Sequence, residues 1–560
     1  MAFKLKRGKQ TEQALELVKN SLQQSKNFQS QLFTKFVEYY KVYRAVNDDK
    51  KQAYHGRANL FIPYAYSIVE TIYPRMLSSK PKIFAYPREK QDIIKAKLVE
   101  KVIDWEWYMI NADQVVRDWV KQALIYGTGI VKIFWDYNEN KQTDKPEIIN
   151  VDLFDFYIDP HSNTVKNSKY VIHRCWRDLE SLKKDENYKL PLELVGIQQE
   201  LNEFQTQRDA ITNQNKQKTG ESKMVELHEY WGSFDINGDG IDKECLLVMA
   251  DNKYIVRAEE NPFKHKQKPF VEMADIKIPQ EFWGLGEIES VLSLQYELND
   301  TRNQRMDNVT QILSNRPIVS RQAGVENYEV ENWTNGKVLF VNGHPEAAVG
   351  YNRPPDVTGS AYNEETMIKG DLTLVSGIND LAPMVAGKNV RALQQTTATG
   401  AELQAEEANS RFRAKLLNLE DALSQVGKLL VELNKQYWNE EKVIRIIGEG
   451  SVEFMNVKPE DISGEYDIII QAGASQSQSR QVRRNEALEL FQTLAPIAQV
   501  AGINVQALIK NVLDTYEIAN AEEILGGGQQ GLPVPAPAGM PQVPASMSAG
   551  EGGGAINIMQ

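Results

Sequence analysis

The stretch from Gly284 to Asn315, "GLGEIESVLSLQYELNDTRNQRMDNVTQILSN", changes character in its middle, and that change limits what the whole chain can build. Read as one helix it is about 45 Å long at 1.5 Å rise per residue. Ile288, Val291, Leu294 and Leu298 give its first half an apolar stripe. From Asn299 to Asn308 the only apolar residue is Met306, set among Asp300, Arg302, Arg305 and Asp307. A helix that loses its apolar face halfway does not lie in one core throughout. It lines a hydrated passage or pairs with neighbouring chains, so the expectation is an assembly.

The rest of the 560 residues, 42% hydrophobic and 25% charged, is ordinary for globular protein and long enough for several regions. A net charge of -12 excludes a large basic surface that coats nucleic acid, because such binding is driven by Lys and Arg neutralising phosphates. Cys175 and Cys245 stand far apart at no ligand or redox spacing, which points to a reducing, intracellular setting. No run approaches eighteen apolar residues, and the basic start "MAFKLKRGKQ" has no apolar signal core behind it, so neither a membrane span nor secretion by that route is expected.

Along the chain the elements mix. Phe33, Phe36, Val37 and Tyr40 recur at helical spacing, and Pro63 opens a second helix with Ile68, Ile72 and Met76 on one face. Gly127 and Gly129 end a further helical run, "IVKIFWDYN" reads as a strand, and the region 224–278 continues in strands, giving an α+β body. Short strands are expected in 316–358 and a helix with Ile368, Leu372 and Val375 on one face after it. Thr399 with Glu402 forms a capping box. Behind it Phe412, Leu416, Leu419, Leu423, Val426, Leu430, Leu433 and Tyr437 alternate four and three apart, which suits a bundle core better than a lone coiled coil. The segment 196–223 is a polar insertion, and the Gly- and Pro-rich composition from Gly526 onward cannot bury a core.

Motifs for catalysis are sparse. There is no GxxxxGK[ST], no HExxH and no GxSxG, and "GLGEIE" lacks the third glycine of a dinucleotide fingerprint. "DINGDGIDKE" begins like a calcium loop at Asp235, Asn237 and Asp239, but position 12 is Leu246 where the bidentate Glu belongs; a hairpin turn is the better reading, with a calcium-regulated scaffold as the sharper one. Asp152, Asp155 and Asp159 in "VDLFDFYIDP" suit either an Asp-Pro turn or a magnesium cluster of a metal-dependent DNA-processing enzyme. In "MVAGKNVRALQQTTATG" Lys388 and Arg391 stand with no acidic residue between Leu381 and Ala401, so this loop can touch a polyanion without holding it tightly.

The order and spacing of "GRANLFIPYAYSIVETIYPRML", "VDLFDFYIDP", "NPFKHKQKPFVEM", "WGLGEIESVLSLQYELNDTRNQRMDN" and "SGINDLAPMVAG" with "TTATGAEL" resemble the portal proteins, or head-to-tail connectors, of tailed bacteriophages, from about residue 30 to 520. The resemblance implies an α+β portal fold. Its parts would be an N-terminal arm at 1–30, a wing at 31–283, stem helices at 284–315 and 359–379, and a clip inserted between them at 316–358. A tunnel loop would follow at 380–399, then a long wing helix with strands at 400–474, a helical crown at 475–525 and a disordered tail at 526–560. It implies a non-enzymatic homo-dodecamer without cofactor at a capsid vertex of the virion, assembled in the host cytoplasm, with double-stranded DNA passing through its channel. Partners would be the major capsid protein and a scaffold, the large terminase subunit, and later the head-completion or tail adaptor proteins. Lys388, Asn389 and Arg391 would face the DNA, Asp300, Arg302, Arg305 and Asp307 would pair between neighbouring subunits, and Arg316 and Arg321 would serve clip docking.

Overall fold

The computed structural model describes residues 8–47, 57–77, 81–138, 143–194, 223–313, 355–378, 398–439, 441–447, 452–471 and 480–494, with short pieces at 316–319 and 349–352 and a few isolated positions. The chain divides into two compact units, Met1–Gly448 with Val452–Ser477, and Glu449–Ser451 with Gln478–Gln560. In the second unit the described element is the helix Arg480–Leu494. No helix among the described residues is long and apolar enough to cross a membrane.

The first unit opens with α1, Lys9–Tyr43, a 35-residue helix. The helix runs through residue 30, where the arm was expected to end. The early turns carry only a thin apolar row, Ala14, Val18 and Leu22, continued by buried Ser21, Ser25 and Gln29. Ser25 bonds the Ile158 carbonyl at 2.9 Å and the Tyr170 hydroxyl at 3.1 Å, which allows a polar residue inside. Helix α2, Tyr64–Met76, follows Pro63 and buries Ile68, Ile72 and Met76 as its spacing requires. Helices α3, Ile93–Met109, and α4, Ala112–Tyr126, come next, and α4 ends at Gly127 in the left-handed region with φ 91.

The described strands pair antiparallel, and many are marked by runs of β-branched and aromatic residues. β2, Thr128–Asn138, lies between β3, Thr143–Asn150, and β9, Phe270–Ala274. β4, Phe156–Ile158, β5, Tyr170–Asp178, β6, Met224–Phe234, β7, Lys243–Ala250, and β8, Tyr254–Glu260, form a second sheet in sequence order. One face of this sheet, with Tyr170, Ile172, Tyr230, Leu247 and Met249, clusters with Ala14, Val18 and Leu22 of α1. The other face, with Val171, Leu227, Trp231 and Val248, joins the main core. Successive residues of one strand thus serve two cores.

The turn between β6 and β7 settles "DINGDG". Asp235 accepts from the backbone N–H groups of Gly238 at 2.7 Å, Asp239 at 3.1 Å and Gly240 at 2.8 Å, with Gly238 and Gly240 at positive φ. Those bonds, led by Gly240, hold its carboxyl below the usual range. The carboxylate organises a turn.

Three long helices complete the unit: α5, Glu287–Leu313, α6, Thr358–Ser376, and α7, Ala398–Tyr437. In α7 the row Leu416, Leu419, Leu423, Val426, Leu430 and Leu433 is buried as its spacing predicts. It packs chiefly on strands, β9 and β14, Tyr466–Gln471, which pairs with β1, Lys82–Pro87. The expected helix bundle is therefore replaced by a helix lying on sheet. Strands β12, Lys442–Ile447, and β13, Val452–Val457, form a separate pair.

Candidate functional site

Helix α5 is rooted where its sequence is apolar and served by partners where it is polar. Ile288, Val291 and Leu298 are buried in the main core. At its first turn Glu287 meets Lys415 of α7, and Lys415 also reaches Asp275, just past β9, at 2.7 Å. Asp275 and Glu287 are 1% and 4% exposed, so two carboxylates share one ammonium inside the protein. Burial pushes the Asp275 carboxyl up, Lys415 pulls it down, and Glu287 pushes it up again, leaving it at about 7.

Beyond Leu298 two separate partners take up the polar side chains. The first is the segment Ala58 to Ala65, which lies along α5 as a strap. Its backbone N–H groups at Ala65, Ile62, Leu60 and Ala58 donate to Gln295 at 3.0 Å, Asn299 at 3.0 Å, Asn303 at 2.7 Å and Asp307 at 2.5 Å. Gln295 and Asn303 return bonds to the carbonyls of Ile62 and Leu60 at 2.7 and 3.1 Å. The match is geometric. Four residues of helix rise about 6 Å and two residues of extended chain about 6.6 Å, so Asn299, Asn303 and Asp307, spaced four apart, meet every second peptide group, at Ile62, Leu60 and Ala58, while Gln295 meets Ala65 at the start of α2. Asn299 is 7% exposed, so Asn299→Ala strands the Ile62 N–H and is expected to cost about 1–3 kcal/mol. Amide exchange at Ile62 and Leu60 should accelerate in that variant; unchanged protection would remove the strap as a restrained element.

The second partner is α6. It runs antiparallel to α5, with Asn308 meeting Val357 and Arg302 meeting Glu365. Glu365, 2% exposed in its side chain, accepts from Arg302 at 2.8 Å, Arg305 at 2.8 Å and Lys369 at 2.9 Å. Burial would raise its carboxyl, but hydrogen bonds from Lys369 and Arg302 outweigh it and the pKa is lowered. Ile368 and Leu372 of α6 are buried beside this node, whereas Val375, expected on the same face, is 43% exposed. Between the helices the chain carries β10, Arg316–Val319, paired antiparallel with β11, Val349–Asn352.

The residues singled out by sequence thus fall in different places. Arg302 and Arg305 pair with Glu365 inside their own chain, and Asp307 holds the strap. Asp300 is exposed on the outward row of α5 with Ser293, Glu297 and Gln304. Arg316 opens β10 opposite Asn352. Lys388, Asn389, Arg391 and Arg321 lie outside the described residues. Sequence reading missed Glu365, Lys369 and the row Gln295, Asn299, Asn303, although four polar residues at a strict spacing of four were there to be seen.

The carboxylates of "VDLFDFYIDP" hold the local backbone. Asp152 accepts from the Phe154 N–H at 3.1 Å, Asp155 pairs with Arg174 at 3.2 Å, and Asp159, 6% exposed, accepts from the His161 N–H at 3.2 Å. Among the described residues the cluster whose donor atoms approach closely enough for one cation is instead His173, Cys175 and Glu229, within 4.8 Å. There Lys132 already occupies the Glu229 carboxylate. Burial and Glu229 hold the Cys175 thiol up at about 12, and burial and Lys132 keep His173 neutral. This is a buried ion pair with hydrogen-bonding neighbours.

The arrangement is a pair of antiparallel helices, joined through a strand pair, strapped and ion-paired so that its polar half keeps its form away from the core. The sequence matches two families, one described as Phage SU10 portal protein over residues 137–547 and one described as Phage P22-like portal protein over residues 32–235. The first match covers well over half of the chain and includes both helices, the strand pair and α7. The chain belongs to the phage portal proteins.

Proposed function

We propose that the chain forms a dodecameric ring at a unique capsid vertex, through which double-stranded DNA enters during packaging and leaves on ejection. The observation that carries this reading is the portal-family match spanning a strapped helix pair whose polar half has no core to enter. In it α5 and α6 are the stem, the chain between them at 316–358 is the clip, the sheets and α7 form the wing, and 475–525 is the crown. Portal proteins are structural components of the virion, and the chemistry of packaging belongs to a separate motor. The clip, with Arg316 and Arg321, docks the large terminase subunit during filling and the head-completion or tail adaptors afterwards, while the wing meets the capsid protein and scaffold.

A net charge of -12 suits a conduit, because an acidic wall gives phosphates little to hold as the duplex slides. Lys388, Asn389 and Arg391 of the tunnel loop are the local exception. Electron microscopy of the purified protein with native mass measurement tests the ring: closed, mostly twelvefold particles with an axial hole are expected. A compact monomer or dimer at high concentration would overturn the reading. In the assembled particle, Lys388→Glu with Arg391→Glu is expected to leave rings intact and impair DNA packaging or retention.

A further inference from the structure

We infer that two loops at one end of the five-stranded sheet, residues 159–169 and 261–269, form a contact for the phosphate backbone of duplex nucleic acid, made by Lys166, Lys169, Lys264 and Lys266. The contact uses none of the tunnel-loop residues and does not depend on the ring reading. In a chain of net charge -12, the stretches 160–177 and 261–271 contain no acid. Strand register brings the two loops to one place. Tyr170 at the start of β5 pairs with Gly232, Gly232 with Cys245, and Cys245 with Glu260 at the end of β8. Lys268 Nζ then joins the loops by donating to the Ser168 carbonyl at 2.8 Å. The other four lysines are exposed, and none has an ion-pair partner among the described residues, whereas buried Lys268 faces Glu244 at 3.8 Å.

The second loop presents its lysines on a fixed backbone, which lowers the entropy lost on binding. Phe263 stacks with Trp231 and with His265, ring centroids 5.7 and 5.2 Å apart. Gln436 of α7 donates to the Pro262 carbonyl and accepts from the Lys264 N–H, both at 2.7 Å. Lys266 sits at φ 54, in a left-handed region that lysine rarely takes. The acids around the loops are paired or turned away. Glu244 accepts from Ser233 at 3.1 Å and faces Lys268, Glu260 faces Lys243 at 3.7 Å, and Glu432 pairs with Lys435 at 2.7 Å. The turn between β6 and β7, with exposed Asp239 and Asp242, stands at the same end of the sheet but bends toward α1. Its Ile236 clusters with Ala14 and Val18, and Gln10 donates to the Asp235 and Ile236 carbonyls at 2.9 and 3.1 Å. Val165 and Phe263 of the two lysine loops belong to the main core on the opposite face. Every exposed side chain of these loops is polar, with Asn163, Asn167 and Gln267 among the lysines. A protein interface is anchored by aromatic and apolar groups and is poor in Lys, whereas phosphate backbones are held by Lys, Asn and Gln. The surface therefore favours a nucleic-acid backbone over an acidic protein.

The test is fluorescence anisotropy of short labelled DNA duplexes with the full chain carrying Lys388→Glu and Arg391→Glu, which silences the tunnel loop. This parent is compared with the same chain carrying in addition Lys166→Gln, Lys169→Gln, Lys264→Gln and Lys266→Gln. Four phosphate contacts predict that the parent loses roughly 100-fold in affinity between about 50 and 200 mM salt. The four-glutamine variant should bind at least about tenfold more weakly at the lower salt, with a much shallower salt dependence. All four positions are exposed, so its melting should be unchanged. Lys266→Gly alone relieves the left-handed position, so it should weaken binding while melting stays or rises, which separates a lost contact from a lost fold. Parent-like affinity and salt dependence in the four-glutamine variant, or no binding by the parent at the lower salt, would overturn the inference and leave the portal reading standing. Tighter binding of poly-glutamate than of DNA would overturn it in favour of an acidic protein partner. A preference of about tenfold for one base sequence over another would overturn a backbone contact. Duplex RNA run alongside tells which backbone is the source, and binding of either supports the contact.

Discussion

Lys415→Met is expected to destabilise the first unit by about 3–5 kcal/mol near pH 8, and to do so less at pH 5. The lysine is 9% exposed and its one charge serves both Asp275 and Glu287. Removing it leaves two carboxylates facing each other in a place with almost no water, a buried charge without compensation. Against a usual total of about 5–15 kcal/mol the loss is large.

The pH dependence fixes the mechanism. Burial and Glu287 push the Asp275 carboxyl up to about 7 in the folded chain, well above the ordinary carboxylate range. Its contribution to stability is therefore fully present below the unfolded value and is lost as pH rises through about 7. Without Lys415 the downward pull on Asp275 disappears, so its carboxyl binds its proton still more firmly and acid becomes a partial rescue. Urea denaturation of Lys415→Met at pH 5 and pH 8 checks this. A loss of equal size at both would mean that packing of the lysine stem, and not the carboxylates, carries the effect.

The places where sequence reading succeeded share a physical cause, and so do those where it stopped. The apolar row of α7 was legible because burial imposes a period on the residues themselves, and strands β2 and β6 to β8 because buried sheet favours runs of β-branched and aromatic residues. What covers such a row is not written in it, and the stripe of α7 reads alike whether the partner is a helix or, as here, a sheet. The first turns of α1 hid because Ser21, Ser25 and Gln29 take positions that apolar residues would fill. The polar half of α5 was noticed and its purpose was not. Its Gln, Asn and Asp side chains bind the backbone of the strap, and recognition of a backbone leaves no complementary pattern in "RANLFIPYA". Glu365 carries no signal in the sequence, since nothing in its neighbourhood along the chain announces Arg302 and Arg305 across the pair.

Gly127→Ala should be the most damaging single added methyl among the glycines of the described residues. Gly127 ends α4 with φ 91, where an L side chain costs about 1–2 kcal/mol before any contact is counted. A Cβ there would sit 2.0 Å from the Gly284 carbonyl oxygen and 3.0 Å from the Gly286 nitrogen, both backbone atoms that cannot rotate aside. The contact is reciprocal: a Cβ on Gly284 would lie 2.7 Å from the Gly127 oxygen, and one on Gly286 2.7 Å from the Gly127 nitrogen. This is why "GLGEIE" resembles a dinucleotide fingerprint without being one; its glycines admit another backbone. The interlock sits immediately before Glu287, so the strain falls on the root of α5 and on the Lys415 cluster together. A loss above about 4 kcal/mol, seen as a lowered denaturation midpoint or failure to recover soluble protein, is expected. Gly370→Ala is the control. Gly370 lies in α6 with nothing within 4 Å of its added Cβ, so the same methyl there should stabilise the chain by up to about 1 kcal/mol. Equal midpoints for the two variants would mean that the α4 and α5 backbones do not meet as closely as this, and the rooting of α5 would then rest on Ile288, Val291, Leu298 and the Lys415 cluster.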